Sequence, residues 1–149
     1  MLGRYADNLY WMARYLERAE NTARKIQAGL HYSITTQGEN NDLLEFLIDE
    51  ADHNKFKKKY NNFSINNVLK YLINDEENIN NIKSLLYKAR TNGKIVRTAL
   101  TREVSNSLNQ SWISTEKILS NSIKVNNLPE IIDKICLLYT SDAADDVEC

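Results

Sequence analysis

Arg14, Glu17, Arg18, Glu20 and Arg24 recur at intervals of three and four along one short stretch of the chain. On a helix, Glu20 meets Arg24 at i,i+4 and Arg14 meets Glu17 at i,i+3, so carboxylates and guanidiniums pair off. Two chemistries follow. As exposed pairs they add only about 0.2–0.5 kcal/mol each. Turned into a cavity, the same guanidiniums would hold a carboxylate or phosphate through two parallel hydrogen bonds, which would suit a peptide or an acyl phosphate. Arg4, Asn8, Trp11 and Tyr15 form an adjoining stripe at helical spacing. Its aromatic members fit a helix–helix interface better than a binding box.

Other reactive constellations are thin. Glu17 and Glu20 would bring two carboxylates near a metal, but carboxylate-bridged bundles draw a Glu-x-x-His pair from each of two helices. The chain does not supply two such pairs, and His31 and His53 read as loop or surface groups. The sequence holds no Gly-rich phosphate loop, no nucleophile elbow and no Cys/His ligand spacing. No catalytic residue, metal or cofactor is therefore expected. A formal net charge of -1 counts against a general nucleic-acid binder, and Lys57, Lys58 and Lys59 read as a solvated charge run. No stretch approaches the roughly 20 apolar residues of a membrane span. The opening residues are mixed with charge from Arg4 on and do not read as a signal peptide, so a cytoplasmic location is expected.

These side chains need long helices to place them. The 149 residues leave room for one domain. With four glycines and one proline, the chain lacks the turn residues of a strand-rich fold, and an all-α bundle of about five to six helices is expected. The first helix is predicted from Arg4 to Ser33, with Leu9, Met12, Leu16, Ala19, Ala23, Ile26 and Leu30 on one arc. A loop over Thr35 to Asn41 leads to a second helix over Asp42 to Asp52, offering Leu43, Leu44, Leu47, Ile48 and Ala51 to the core. His53 to Asn62 has room for one short helical turn. Ser64 is predicted to cap a third helix through Val68, Leu69 and Leu72, and Asp75 to Asn78 a polar turn. A fourth helix is expected from Ile79 to Leu100, with Ile82, Leu85, Leu86, Ala89, Ile95, Val96 and Ala99 inward. Gly93 within it marks a bend or a close backbone approach. Thr101 caps a fifth helix to Ile123, and Pro129 sits in the first turn of a sixth.

The last residues read differently. Cys136-Leu137-Leu138-Tyr139-Thr140-Ser141-Asp142-Ala143-Ala144-Asp145 has the order obtained by translating a transposon-end sequencing adapter. Native sequence is accordingly expected to stop near Ile135. Residues 136–149 are expected to be a non-native tail on a truncated environmental fragment, so Asp145, Asp146 and Cys149 are not read as ligands.

The run Ala6-Asp7-Asn8-Leu9-Tyr10-Trp11-Met12-Ala13-Arg14-Tyr15-Leu16-Glu17-Arg18-Ala19-Glu20-Asn21-Thr22-Ala23-Arg24 closely resembles the opening of the bacterial alpha-E domain family. Two further stretches are similar to it. One is Val68 to Leu72 followed by Asp75-Glu76-Glu77-Asn78. The other is Ala89-Arg90-Thr91-Asn92 with Val96-Arg97, Leu100 to Glu103 and Leu108-Asn109. Together they span nearly all of residues 1–135, and they make Arg90, Asn92, Arg97 and Glu103 secondary site candidates. The chain departs from the family at Ile79, where proline is usual, at Thr91, where Glu is usual, and at Ser105, where an aromatic is usual. The stretch from Ser33 to Tyr60 is short and divergent. These departures count against a role for the fourth and fifth helices beyond packing.

Members of that family are roughly twice as long, with a second half whose helix is similar to the first one here. The resemblance thus implies a truncated half of a repeat-containing protein that lacks the partner half for its exposed faces, and whose bared apolar groups favour oligomers or aggregation. It also implies association, by gene neighbourhood and fusion, with circularly permuted ATP-grasp proteins and transglutaminase-like proteins. The leading expectation is a non-catalytic accessory or substrate-recognition module beside an ATP-grasp peptide ligase. An enzyme whose site forms between the two halves, using Glu17, Glu20 and nearby arginines, is the alternative, and a structural scaffold the third.

Overall fold

The computed structural model of the chain describes residues 2–36 and 41–120, and every regular element among them is helical. In order these are α1 (Leu2–Thr36), α2 (Asn41–Phe46), a 3-10 turn (Glu50–Asp52), α3 (His53–Lys59), α4 (Ile65–Ile73), α5 (Ile82–Ile95) and α6 (Arg102–Ser120). The all-α expectation holds. The sixth helix expected near Pro129 and the tail over 136–149 lie outside the described residues.

α1 runs unbroken for 35 residues, about 50 Å at 1.5 Å per residue. Its apolar arc lies inward as its spacing requires, with Ala19, Ala23, Ile26 and Leu30 buried and Leu9, Met12 and Leu16 half-buried. The N-terminal half of this rod packs on α5. Tyr5 reaches Thr98, Met12 lies beside Gly93, and Lys88 sits over the Tyr15 ring, so the two helices run antiparallel. α6 returns antiparallel along α5, as the contacts of Tyr87 with Trp112 and of Arg90 with Asn109 show. Gly93 resolves the two options read from the sequence in favour of close approach. A Cβ built on it would lie 2.5 Å from Leu108 Cδ2 and 3.2 Å from Met12 Sδ, so its missing side chain lets three helices meet.

The C-terminal half of α1 covers a smaller layer made of α2, α3 and α4. Ile26 and Leu30 join Ile48, Phe56 and Ile73 in one continuous core. Phe56 is its aromatic centre. Its ring stacks on Tyr60 and Phe63 and meets Tyr71 edge-on.

Several boundaries differ from expectation. The second helix stops at Phe46 because His53 folds back under it. The ring Nε2 lies 2.9 Å from Ile48 O and 3.2 Å from Glu45 O, and since both partners are carbonyl oxygens it carries the proton and donates. Those carbonyls no longer serve a continuing helix, and the chain passes through extended Asp49 into the 3-10 turn, leaving Ala51 exposed. His53 is thus half-buried at the start of α3 rather than a surface group, while His31 is the surface group expected, exposed on α1. α3 is longer than the single turn allowed for it. α5 starts at Ile82 rather than Ile79, with Asn81 as its cap, and Ile79 is exposed. It ends at Ile95, leaving Ile95 and Ala99 outside the core while Val96 is buried. The two predicted hydroxyl caps are in place. Ser64 Oγ accepts from Asn67 N at 3.3 Å and Thr101 Oγ1 from Val104 N at 3.3 Å.

Candidate functional site

The charged stretch of α1 forms a surface ridge. Arg14 donates to Glu17 at 2.8 Å and Arg24 to Glu20 at 2.5 Å, while Arg18 is exposed beside them. Both pairs are the solvent-facing pairs of the simpler reading, worth well under 1 kcal/mol each. Upstream, Asn8 Nδ2 donates to Arg4 O at 2.8 Å, tying its side chain to its own helix. Trp11 is 42% exposed and Tyr10 58%. Trp11 lies between Tyr10, met edge-on at 5.5 Å, and half-buried Tyr15 at 5.7 Å. Arg4, Trp11 and Arg14 therefore stand on the outer side of a rod whose inner side is locked to α5.

A second constellation lies between α5 and α6, in a cleft of about 320 Å³. Arg90, Lys94 and Arg97 line it from α5 and the segment just beyond, and Ser105, Asn106 and Asn109 from α6. Arg90 donates through Nε and Nη2 to Asn109 Oδ1, at 3.1 and 2.9 Å, which fixes the plane of its guanidinium. Of the four secondary candidates read from the sequence, the fold brings Arg90 and Arg97 together. Asn92 turns back along its helix and donates to Lys88 O at 2.9 Å. Glu103 is exposed in the first turn of α6, and the residues lining the cleft do not include it. Lys94, Asn106 and Asn109 were not singled out. The i, i+4, i+7 spacing of Arg90, Lys94 and Arg97 is legible in the sequence, but the α6 wall needs the helix pairing.

A third cluster closes the turn between α4 and α5. Asp75, only 6% exposed, accepts from Lys59 Nζ at 2.8 Å, Tyr60 Oη at 2.6 Å and the Glu77 amide at 3.0 Å. Burial alone would push its carboxyl up, but these hydrogen bonds and the Lys59 charge outweigh that and hold it below its ordinary value. The same contacts act on the donors. The hydrogen bond to Asp75 raises the Lys59 ammonium, and burial, then the bond to Asp75, pushes the Tyr60 phenol up. Tyr71 is raised to about 12, chiefly by burial and then by the Asp52 charge. Behind Asp75, Asn78 Nδ2 donates to Tyr71 O at 2.8 Å. Asn81 Nδ2 donates to Asp75 O at 2.8 Å and Asn78 O at 2.7 Å. The turn expected to be merely polar is a buried, satisfied network that fixes α4 against α5. Lys59 belongs to it and is not simply one of a solvated run.

No group of three or more His, Cys, Asp or Glu is placed to hold a metal among the described residues. Glu50 and His53 have the three-residue spacing of one half of a carboxylate-bridged site, but the His53 ring is committed to carbonyl oxygens. No described helix is long and apolar enough to cross a membrane.

No curated protein and no solved structure matches the chain. A family model does, over residues 1–140, and it is described as a predicted alpha-helical domain with a conserved ER motif. The sequence contains one Glu-Arg dipeptide, Glu17-Arg18, and it lies on the outer ridge of α1. On a match of that extent, carried by a helical fold with this dipeptide on its longest element, the chain belongs to the alpha-E domain family.

Proposed function

We propose that this chain is a non-catalytic recognition module that works beside an ATP-grasp, peptide-ligase-like protein, with the outer ridge of α1 as its contact surface. One observation carries the reading. The ridge presents Trp11 and Tyr10 to solvent with Arg4 and Arg14 on neighbouring turns, and aromatic and arginine anchors are what interface hot spots are made of. The rod beneath is held along its inner side by α5 and the core, so docking on it orders little and loses little entropy.

Co-purification tests this. The chain, mixed with a circularly permuted ATP-grasp protein, is expected to elute as a complex on size exclusion. Trp11→Ala is expected to weaken that complex at least tenfold, because truncating a hot-spot aromatic costs about 2 kcal/mol or more. Absence of any complex with the ATP-grasp protein, or a complex indifferent to Trp11, contradicts the proposal. A complex formed only with a transglutaminase-like neighbour would reassign the partner.

A further inference from the structure

The cleft between α5 and α6 gathers positive charge that no ion pair among the described residues balances. Arg90, Lys94 and Arg97 line it, and no carboxylate is among its lining residues. Among the described residues none of the three forms an ion pair. Elsewhere several basic side chains are answered, Arg14 by Glu17, Arg24 by Glu20, Lys25 by Asp49, Lys55 by Asp52 and Lys59 by Asp75. Like charges at i,i+3 and i,i+4 repel on a helix. The α5 C-terminal dipole eases this for Lys94, but its influence fades within the last turn and does not reach Arg90. The repulsion costs about 0.2–0.5 kcal/mol per pair, and a bound anion would relieve it.

The facing wall is suited to the same anion. Asn109 turns its carbonyl oxygen to Arg90, so its amide nitrogen remains a donor, and Ser105 and Asn106 bring further donors to the cleft. Arg90 arrives already oriented, and a pre-set guanidinium fork loses less freedom on binding an oxyanion. At about 1.5 Å per residue Arg90 and Lys94 stand about 6 Å apart along the axis of α5, and Arg97 follows just beyond its last residue, Ile95. A chain of linked phosphoryl groups can meet cations spaced in this way with one oxyanion to each. The cleft volume of about 320 Å³ is at the small end of ligand sites, which fits a compact polyanion rather than a macromolecule.

We propose that the α5–α6 cleft binds a small oligophosphate, with Arg90, Lys94 and Arg97 as its charge partners and Asn106 and Asn109 as neutral donors. The inference goes beyond the recognition surface on α1, which contributes no residue to the cleft lining, and the two stand or fall separately. Titration calorimetry of the whole chain with tripolyphosphate tests it, with inorganic phosphate and citrate as the other arms. One saturable site for tripolyphosphate is expected, at least tenfold tighter than for either comparison. Lys94→Gln combined with Arg97→Gln alters two exposed side chains outside the core, so helicity and melting should be unchanged while affinity falls at least tenfold. Arg24→Gln on α1 is expected to change nothing. Absence of saturable binding overturns the proposal, as does equal loss in the Arg24 variant. Citrate binding as tightly as tripolyphosphate overturns the phosphoryl assignment.

Discussion

Asp75 is the side chain on which the small layer depends, because a buried carboxylate is tolerable only while its donors stay in place. Tyr60→Phe removes one of them without changing shape. It is expected to cost about 1–3 kcal/mol, the penalty of an under-satisfied buried acceptor, read as a lower urea midpoint with an unchanged slope. The pH dependence has a definite sign. Asp75 is held below its ordinary 3.8 in the folded chain. Its contribution is therefore whole above about pH 4 and lost as the pH falls through the folded value. Tyr60 is held above its ordinary 10.0, so its contribution is whole below about pH 10 and lost as the pH rises further. Melting temperatures across pH should fall at both ends, and Asp75→Asn should flatten the acid limb. An acid limb unchanged in that variant would assign it to other carboxylates.

At the scale of elements, α1 is stabilised by burial and not by its ion pairs. Ile26 is fully buried, and Ile26→Ala is expected to cost about 2–5 kcal/mol, whereas Glu20→Gln, which only unpairs exposed Arg24, is expected to cost under about 0.5 kcal/mol. The contact of α5 with α6 and α1 turns on Gly93. Gly93→Ala gains about 1 kcal/mol of helix propensity while displacing the tip of the Leu108 side chain, so it should be close to neutral. Gly93→Val adds methyls where Leu108 and Met12 already crowd, and is expected to cost about 1–3 kcal/mol. Thermal melts followed by circular dichroism separate these four variants. A Gly93→Val protein as stable as the parent would show that the helices meet elsewhere.

Across the whole molecule, what was legible in the sequence follows from the range of the interactions. α1 could be read almost to its ends because one apolar period persists through its whole length, and its surface ion pairs are local. The small layer was less legible. Phe56, Tyr60 and Phe63 sit among lysines and asparagines, and their stack depends on Tyr71, which arrives from another helix. α5 starts three residues later than the expected Ile79, and the deciding feature is Asn81. Its side chain accepts from Ser84 N and donates to Ser84 Oγ, both at 2.8 Å, and Asn at a cap with Ser three residues on was there to be seen. The cleft was half legible, since Arg90 and Arg97 share a helix face but Asn109 joins them only through the pairing of α5 with α6. The proposed function joins these scales in a rod with one side locked against α5 and the core and the other offered to a partner. Hydrogen–deuterium exchange of the chain, alone and with the ATP-grasp protein, tests that most directly. The account predicts slowed exchange confined to the turns of α1 around Arg4 to Arg18; unchanged α1 exchange with slowing confined to other helices would contradict it.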